Sequence, residues 1–66
     1  MPRQLGRRLK EARTRAGLTQ QALADRVGVQ RLYIARLETG ARTAPSLPLL
    51  ERLAEALKVK LVDLLR

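Results

Sequence analysis

The stretch from Thr19 to Gly40 constrains the fold of this chain more than any other part, and its sequence is TQQALADRVGVQRLYIARLETG. Thr19 is suited to begin a helix, because its hydroxyl can accept a hydrogen bond from a free backbone N–H. Gly28 is the residue type that most easily adopts the left-handed backbone at a helix end. The pattern therefore predicts one helix between Thr19 and Gly28, and a second from about Gln30 to Thr39 that ends at Gly40.

Two short helices joined by a glycine-containing turn form a helix-turn-helix, whose second helix can enter the major groove of DNA. Successive side chains on a helix are about 100° apart, so the faces of this second helix can be assigned. Ile34 and Leu37 fall on one side, with Gln30 and Glu38 near them. That side is predicted to face the core.

The opposite side of the second helix carries Leu32, Arg36 and Thr39, and Arg31 and Tyr33 lie on its flanks. A leucine exposed beside arginines gains little unless something covers it, and the methyl group of a thymine could do so. The alternative is that Leu32 and Tyr33 pack against a neighbouring helix or simply lie exposed, as single apolar residues often do. The pattern alone leaves both interpretations open.

The length and composition predict one small domain, 1–66, held together only by packing. A chain of 66 residues buries only about 60% of the surface that its unfolded form exposes. It contains no cysteine and no histidine, so no disulfide, thiolate metal site or usual zinc site is expected, and we predict no cofactor. Glu51 and Glu55 lie one turn apart on an expected solvent face, and no glycine-rich phosphate loop is present, so an enzyme is not expected.

The net charge of +8 is concentrated in the part of the chain that contains the helix-turn-helix. Residues 1–44 contain 10 basic and 3 acidic residues, whereas residues 45–66 contain 4 and 3. Such a field favours a phosphate backbone or an anionic membrane surface as partner. The membrane is the weaker prediction, because no apolar run approaches about 18 residues and no signal peptide or lipidation motif is evident. We expect a soluble cytoplasmic protein.

Helical periodicity also predicts the elements around this motif. The first helix should extend from about Arg3 or Gln4 to Ala16. Its apolar stripe consists of Leu5, Leu9, Ala12 and Ala16. A fourth helix should begin at about Leu47, after a Ser46 cap and with Pro48 in its first turn, where the missing N–H costs little. Its core stripe is predicted to be Leu47, Leu50, Leu53, Ala54 and Leu57.

The last helix is expected from about Leu61 to Leu65, after a short break near Lys58. Leu49 lies off the stripe of the fourth helix, and Val62 and Leu65 lie on a side of the last helix that does not face the core. These three residues are a possible dimer contact, and the alternative is a frayed terminus with ordinary surface leucines.

Three segments of the chain resemble the helix-turn-helix domain of the Cro and C1-repressor type, also called the XRE family. They are LGRRLKEARTRAGLTQQALADRVGV, YIARLETGAR and PSLPLLERLAEALKVKLVDLL, which together cover nearly everything from Leu5 to Leu65. The resemblance implies an all-α, compact five-helix domain like that of lambda repressor, in which the third helix contacts the bases.

The resemblance also implies roles for individual residues. The residues implied to contact base edges are Gln30, Arg31, Leu32 and Arg36. Those implied to contact phosphates or the minor groove are Gln20, Tyr33, Thr39 and Arg42. For Gln20 this role also agrees with the affinity of helix N-termini for anions. Arginine often donates two hydrogen bonds to guanine, so at least one guanine per half-site is expected. Arg13 and Glu38 are implied to form a structural salt bridge between the first and third helices.

The chain departs from the family pattern at four positions. Gln30 stands where relatives often have a capping Ser or Thr, so this cap is weaker or the side chain is free to reach DNA. Leu32 replaces a residue that is often polar, which shifts the expected preference towards thymine methyls. Lys58 stands where glycine is common and Lys60 where a capping serine is common, so the turn into the last helix is the least certain geometry.

The resemblance and the charge predict a sequence-specific double-stranded DNA-binding protein, a small prokaryotic or phage-type transcriptional regulator located in the cytoplasm at the nucleoid. It should act as a homodimer, at least on DNA, and place two third helices about 34 Å apart on an inverted repeat. The alternative is an antitoxin or co-activator module that acts mainly through a protein partner. RNA is a distant third possibility, because one tyrosine does not form a stacking platform.

Overall fold

The computed structural model describes residues 4–41 and 45–66, and within these ranges the chain forms five helices and no strands. The helices are α1 (Leu5–Arg15), α2 (Gln20–Val27), α3 (Arg31–Thr39), α4 (Leu47–Leu57) and α5 (Leu61–Leu65). The predicted all-α, five-helix fold is confirmed. The predicted helix bounds are close to the observed ones: α1 ends one residue before Ala16, and α3 begins one residue after Gln30.

Local capping chemistry explains why the helices begin and end where they do. The Thr19 hydroxyl accepts a hydrogen bond from the backbone N–H of Ala22 at 3.0 Å, and the Ser46 hydroxyl accepts one from the N–H of Leu49 at 3.3 Å. Each satisfies one of the N–H groups that a first helical turn leaves without a partner. At the other end of α2, Gly28 adopts a φ of 78°. Glycine takes this left-handed conformation without a steric penalty.

The core is formed by apolar side chains from all five helices. Its fully enclosed large residues are Leu9, Leu23, Ile34, Leu37, Leu53 and Leu64. Helix α3 packs on both α1 and α2, α4 packs on α2, and the short α5 packs on α1 and α4. Three helix–helix contacts therefore hold the helix-turn-helix in place: α1 packs on α3, α4 packs on α2, and α2 and α3 pack on each other.

Helices α1 and α3 approach each other so closely at Gly6 that a side chain there would collide with the α3 backbone. A Cβ atom on Gly6 would lie 2.5 Å from the carbonyl oxygen of Leu37 and 2.6 Å from that of Glu38. Both are backbone atoms, which cannot rotate away as a flexible side chain can. The absence of a side chain at Gly6 thus sets the distance between α1 and the C-terminal end of α3.

The packing of α4 corrects the predicted core stripe. Leu49 is only 6% exposed and belongs to the core, so its predicted role as an outward dimer contact is wrong. Leu47, predicted to be in the core, is instead 56% exposed. The buried residues of α4 are Leu49, Leu50, Leu53, Ala54 and Leu57. At about 100° per residue they span an arc centred near Leu53 and Leu57, and Leu47 lies at its edge in the first turn.

Two other residues predicted to lie on core-facing sides are exposed. Ala16, the last member of the predicted α1 stripe, lies in the turn after α1 and is exposed. Gln30, predicted beside Ile34 on the inner side of α3, is the exposed N-cap of that helix. In both cases the residue lies just outside the regular helix, so helical periodicity no longer applies to it.

The turn between α4 and α5 is built without the residues common at such turns. Lys58 has a φ of 56°, a left-handed conformation that a residue with a Cβ adopts at some cost. At the start of α5 the Asp63 carboxylate accepts a hydrogen bond from the backbone N–H of Lys60 at 3.1 Å. This bond is the reciprocal half of a capping box, in which the side chain at the third helical position accepts from the N-cap N–H. The predicted break near Lys58 is confirmed.

Candidate nucleic-acid interface

The outward side of α3 combines two arginines with one leucine. Arg31, Leu32 and Arg36 are all exposed, and Leu32 has 47% of its surface accessible. On the opposite side Ile34 and Leu37 are buried against α1 and α2. The helix is therefore anchored by two apolar side chains, and the predicted base contacts project from its free side.

Leu32 and Tyr33, for which local packing is the alternative to a DNA contact, differ in their burial. Tyr33 is half-buried and packs against the core, whereas Leu32 lies outside the core cluster. Leu32 therefore offers an apolar surface that no described side chain covers completely. Leu32 and Arg36 are four residues apart, so the leucine side chain and the guanidinium group lie on the same side of the helix.

The N-cap position of α3 leaves the Gln30 side chain unused for capping. Gln30 has extended backbone angles and makes no side-chain hydrogen bond to the first turn, while its carbonyl accepts a bond from the N–H of Tyr33 at 3.0 Å. Its amide is exposed. Glutamine in place of a capping serine or threonine is expected to weaken the cap or to free the side chain. Both are seen: the side-chain cap is missing, and the Gln30 side chain is exposed.

The start of α2 lies beside α3 and is tied to it by Gln20. The Gln20 side-chain N–H donates to Glu38 Oε1 at 3.1 Å, and its carbonyl oxygen accepts from Arg31 Nη1 at 3.4 Å. These residues are 18 and 11 positions from Gln20 in the sequence, so no periodic pattern connects them. The sequence predicts the position of Gln20 at a helix N-terminus but gives no signal for either contact.

Arg13 and Glu38 form the ion pair expected between α1 and the end of α3. Arg13 Nε lies 2.5 Å from Glu38 Oε2, and Arg13 Nη2 donates to Oε1 at 3.1 Å. The third donor, Nη1, bonds to the carbonyl oxygen of Leu18 at 2.8 Å. The two side chains are only 11% and 4% exposed. These three hydrogen bonds tie α1, α3 and the chain before α2 to each other.

The ion pair also determines the charge that α3 presents to solvent. Glu38 is the only carboxylate of α3, and its side chain points inward to Arg13. The exposed charges of the helix are therefore the guanidinium groups of Arg31 and Arg36. An outward face with cations alone is what a polyanion such as DNA attracts.

The remaining predicted site residues occupy different places. Thr39 is exposed at the end of α3, where its hydroxyl donates to the carbonyl oxygen of Arg36 at 3.2 Å. Arg42 lies outside the described residues. On α5, Val62 is 54% exposed, whereas Leu65 is half-buried and packs against the core. The structure thus separates the three residues of the possible dimer contact, and only Val62 is fully outward.

Neither a metal site nor a membrane span is found in the part of the chain that the structure describes. Residues 4–41 and 45–66 bring no three Asp or Glu side chains together in a group that could hold a metal ion. Among the helices of these ranges, none has the length and apolar character needed to cross a bilayer. Glu51 and Glu55 are exposed on α4, as expected for solvated surface residues.

Comparison with known proteins identifies relatives over nearly the whole chain. A family model described as Helix-turn-helix matches residues 9–64. An uncharacterized HTH-type transcriptional regulator of Methanothermobacter thermautotrophicus is 53% identical over 49 residues, which are 74% of this chain and 70% of that protein. The HTH-type transcriptional regulator SinR of Bacillus subtilis is 33% identical over 61 residues, 92% of this chain but only 55% of SinR.

Two solved structures share the fold. SinR, described as a master regulator for biofilm formation and crystallised in complex with DNA, matches with a TM-score of 0.89 and 32% identity over 94% of this chain and 98% of that one. The restriction-modification controller protein C.AhdI from Aeromonas hydrophila matches with a TM-score of 0.86 and 39% identity over 94% and 92%. None of these three relatives is named as an enzyme. The chain belongs to the Cro/C1-type (XRE) family of helix-turn-helix proteins, a family of DNA-binding regulators and not of enzymes.

Proposed function

We propose that this protein is a transcriptional regulator that binds double-stranded DNA in a sequence-specific manner, with α3 in the major groove. The observation that carries this proposal is the outward face of α3, where Arg31, Leu32 and Arg36 project from a helix anchored on its other side. The likeness to SinR, whose structure was solved with DNA, supports it independently.

The dimensions and chemistry of α3 suit the major groove. A helix with its side chains is about 10–12 Å across, and the major groove is about 12 Å wide, so the groove admits one helix such as the 9-residue α3. Arg31 and Arg36 can each donate two hydrogen bonds to a guanine, and Leu32 can contact a thymine methyl. We assign base contacts to these three residues and to the exposed amide of Gln30.

Phosphate contacts would then position the domain on the duplex. The N-terminus of α2 offers free backbone N–H groups and a partial positive charge beside α3, which attract a phosphate. We assign phosphate or minor-groove contacts to Gln20 at this end, and to Tyr33, Thr39 and Arg42. Such contacts fix register and orientation but carry no direct sequence information.

We further propose that the protein acts as a homodimer, at least on DNA, and binds an inverted repeat. Two copies related by a two-fold axis would place their α3 helices in successive major grooves about 34 Å apart. The exposed Val62 on α5, with Leu65 beside it, supports a contact between the copies. A regulator of this kind would be located in the cytoplasm, at the nucleoid. The relatives are named as regulators and a controller protein, which favours this function over an antitoxin or co-activator module.

The test is selection of bound duplexes from a randomised pool near physiological salt, where non-specific attraction to DNA is weakened. The expected result is an inverted repeat with half-sites about one helical turn apart and at least one guanine in each half. Arg36→Ala should then lose about 1–3 kcal/mol of discrimination at one base pair. The exposed Arg52 on α4 provides the matched control, because Arg52→Ala removes the same charge from a helix that does not carry the proposed base contacts. Binding without any enriched sequence would overturn the proposal.

A further inference from the structure

Four side chains form a continuous chain of polar contacts from the buried junction of α1 and α3 to the outward face of α3. Arg13 contacts Glu38 at 2.5 Å, Glu38 accepts from Gln20 at 3.1 Å, and Gln20 accepts from Arg31 at 3.4 Å. The first two residues belong to the scaffold, and the last is a proposed base contact. The scaffold and the base contact are therefore linked through one amide group.

The chemistry of Glu38 determines which way this amide points. An ionised carboxylate only accepts hydrogen bonds, whereas a glutamine amide has a separate donor and acceptor. Glu38 Oε1 therefore requires the N–H group of Gln20. This turns the amide oxygen of Gln20 away from Glu38, and that oxygen is the atom to which Arg31 donates.

Glu38 is buried and held in place by hydrogen bonds to Arg13. Its side chain is 4% exposed and takes two hydrogen bonds from Arg13, which is itself bonded to the carbonyl of Leu18. The backbone carbonyl of Glu38 lies against Gly6 of α1. The direction of the Gln20 amide thus originates from a part of the molecule with little freedom to move.

We propose that Glu38, acting through Gln20, orients Arg31 and so makes Glu38 and Gln20 positioning residues for base specificity. The inference rests on the proposed function, since it assumes that Arg31 contacts a base. The hydrogen bond from Arg31 to Gln20 is long, at 3.4 Å, so it favours one orientation of Arg31 without fixing it. Arg31 has five N–H donors, and one bond to Gln20 leaves enough of them for a two-bond contact with guanine.

The first test replaces Gln20 by methionine, which has a similar length and no amide. Affinities are measured for the selected operator and for each of its single-base variants, and the base pair assigned to Arg31 is the one at which Arg31→Ala loses preference. In Gln20→Met, preference at that base pair should fall about tenfold, the size of one good base contact. Preference at the base pair assigned to Arg36 should not change. Thermal unfolding of Gln20→Met checks that the domain remains folded.

The second test replaces the hydrogen-bond acceptor beside Gln20 by a donor. The double variant Arg13→Glu/Glu38→Arg retains an ion pair but places a donor beside Gln20, so the amide must turn and present its N–H groups to Arg31. Preference at the Arg31 base pair should then be lost. Adding Gln20→Glu supplies a carboxylate that accepts from both arginines, and the preference should return. If the swapped pair does not fold, the Gln20→Met comparison decides alone.

The proposed function and the positioning role would fail with different results. If the unaltered protein selects no sequence at all, the proposed function fails. If it selects an operator and Gln20→Met lowers affinity equally for every base variant, Gln20 only contacts a phosphate and the positioning role is overturned. An unchanged base profile with unchanged affinity overturns it as well.

Discussion

The junction of α1 with α3 and the turn between α4 and α5 are built in opposite ways. At the junction the backbones touch at Gly6, and a buried ion pair joins Arg13 to Glu38. At the turn, Lys58 takes a left-handed conformation where glycine would be cheaper, and Val62 nearby is exposed. The proposed base contacts lie on α3, and both the approach at Gly6 and the ion pair hold that helix against α1. The α4–α5 turn brings Leu64 into the core, and Val59 and Leu61 on either side of Lys60 are only partly buried against it.

The largest effect should come from removing one partner of the ion pair. Arg13→Met keeps much of the side-chain volume but leaves Glu38 buried without its cation, at an expected cost on the order of 3 to 5 kcal/mol in the free energy of unfolding. A domain of this size has a total stability of about 3 to 10 kcal/mol, so this cost removes between about a third and all of it. Urea titration followed by circular dichroism measures this. The exposed Arg15 on the same helix provides the control, and an equal effect of Arg15→Met would contradict a special role for the pair.

The second effect tests the close approach itself. Gly6→Ala places a methyl group 2.5 Å from the carbonyl oxygen of Leu37, so α1 and α3 must separate. Overpacking of this kind costs about 1–3 kcal/mol, which is at least as large as the gain of about 1 kcal/mol that alanine brings over glycine in a helix. The matched control is Arg7→Ala, at the neighbouring exposed position. Thermal unfolding should show a lower midpoint for Gly6→Ala alone, and equal midpoints would show that the helices can separate without cost.

The helix ends and the close approach at Gly6 show what could and could not be predicted from the sequence. The helix ends were predicted well because capping is local: Thr19, Ser46 and Gly28 act on backbone groups within a few residues. Gly6 carried no signal, since its close neighbour is a backbone that lies about thirty positions away.

The prediction of the buried face of α4 was partly wrong for a related reason. Periodicity gives the angle between Leu47 and Leu49, but the direction of the core depends on how α4 packs on α2. For the candidate site, the outward position of Leu32 and Arg36 followed from angles alone, whereas the link from Glu38 through Gln20 to Arg31 required the fold. The DNA contacts themselves stay predictions.

A smaller effect, of opposite sign, is expected at the α4–α5 turn. Lys58→Gly removes the left-handed strain of about 1–2 kcal/mol and adds a backbone-entropy cost of about 0.5–1 kcal/mol, so the protein should gain about 1 kcal/mol in stability. Urea titration should show a higher midpoint with an unchanged slope. The control is Lys60→Gly, which should bring no such gain, because Lys60 has a negative φ of −77°. A loss of stability in Lys58→Gly would mean that the lysine side chain stabilises the turn by more than its strain costs.

The smallest effect on the fold should come from Val62, and it tests whether the looser region serves the proposed dimer. Val62 is 54% exposed, so Val62→Ser should change the free energy of unfolding by no more than about 0.5 kcal/mol. If α5 forms the contact between copies, the variant should bind a duplex with two half-sites more weakly than the unaltered protein does, while binding to a single half-site stays the same. Fluorescence titration with both duplexes measures the two affinities, and Leu47→Ser supplies the control, because it removes an uncharged apolar side chain of similar exposure from α4. Equal binding of both duplexes by Val62→Ser and the unaltered protein would remove α5 from the proposed dimer contact. The difference between the two regions would then be one of packing alone, with α3 fixed for DNA and the α4–α5 turn left without a role in assembly.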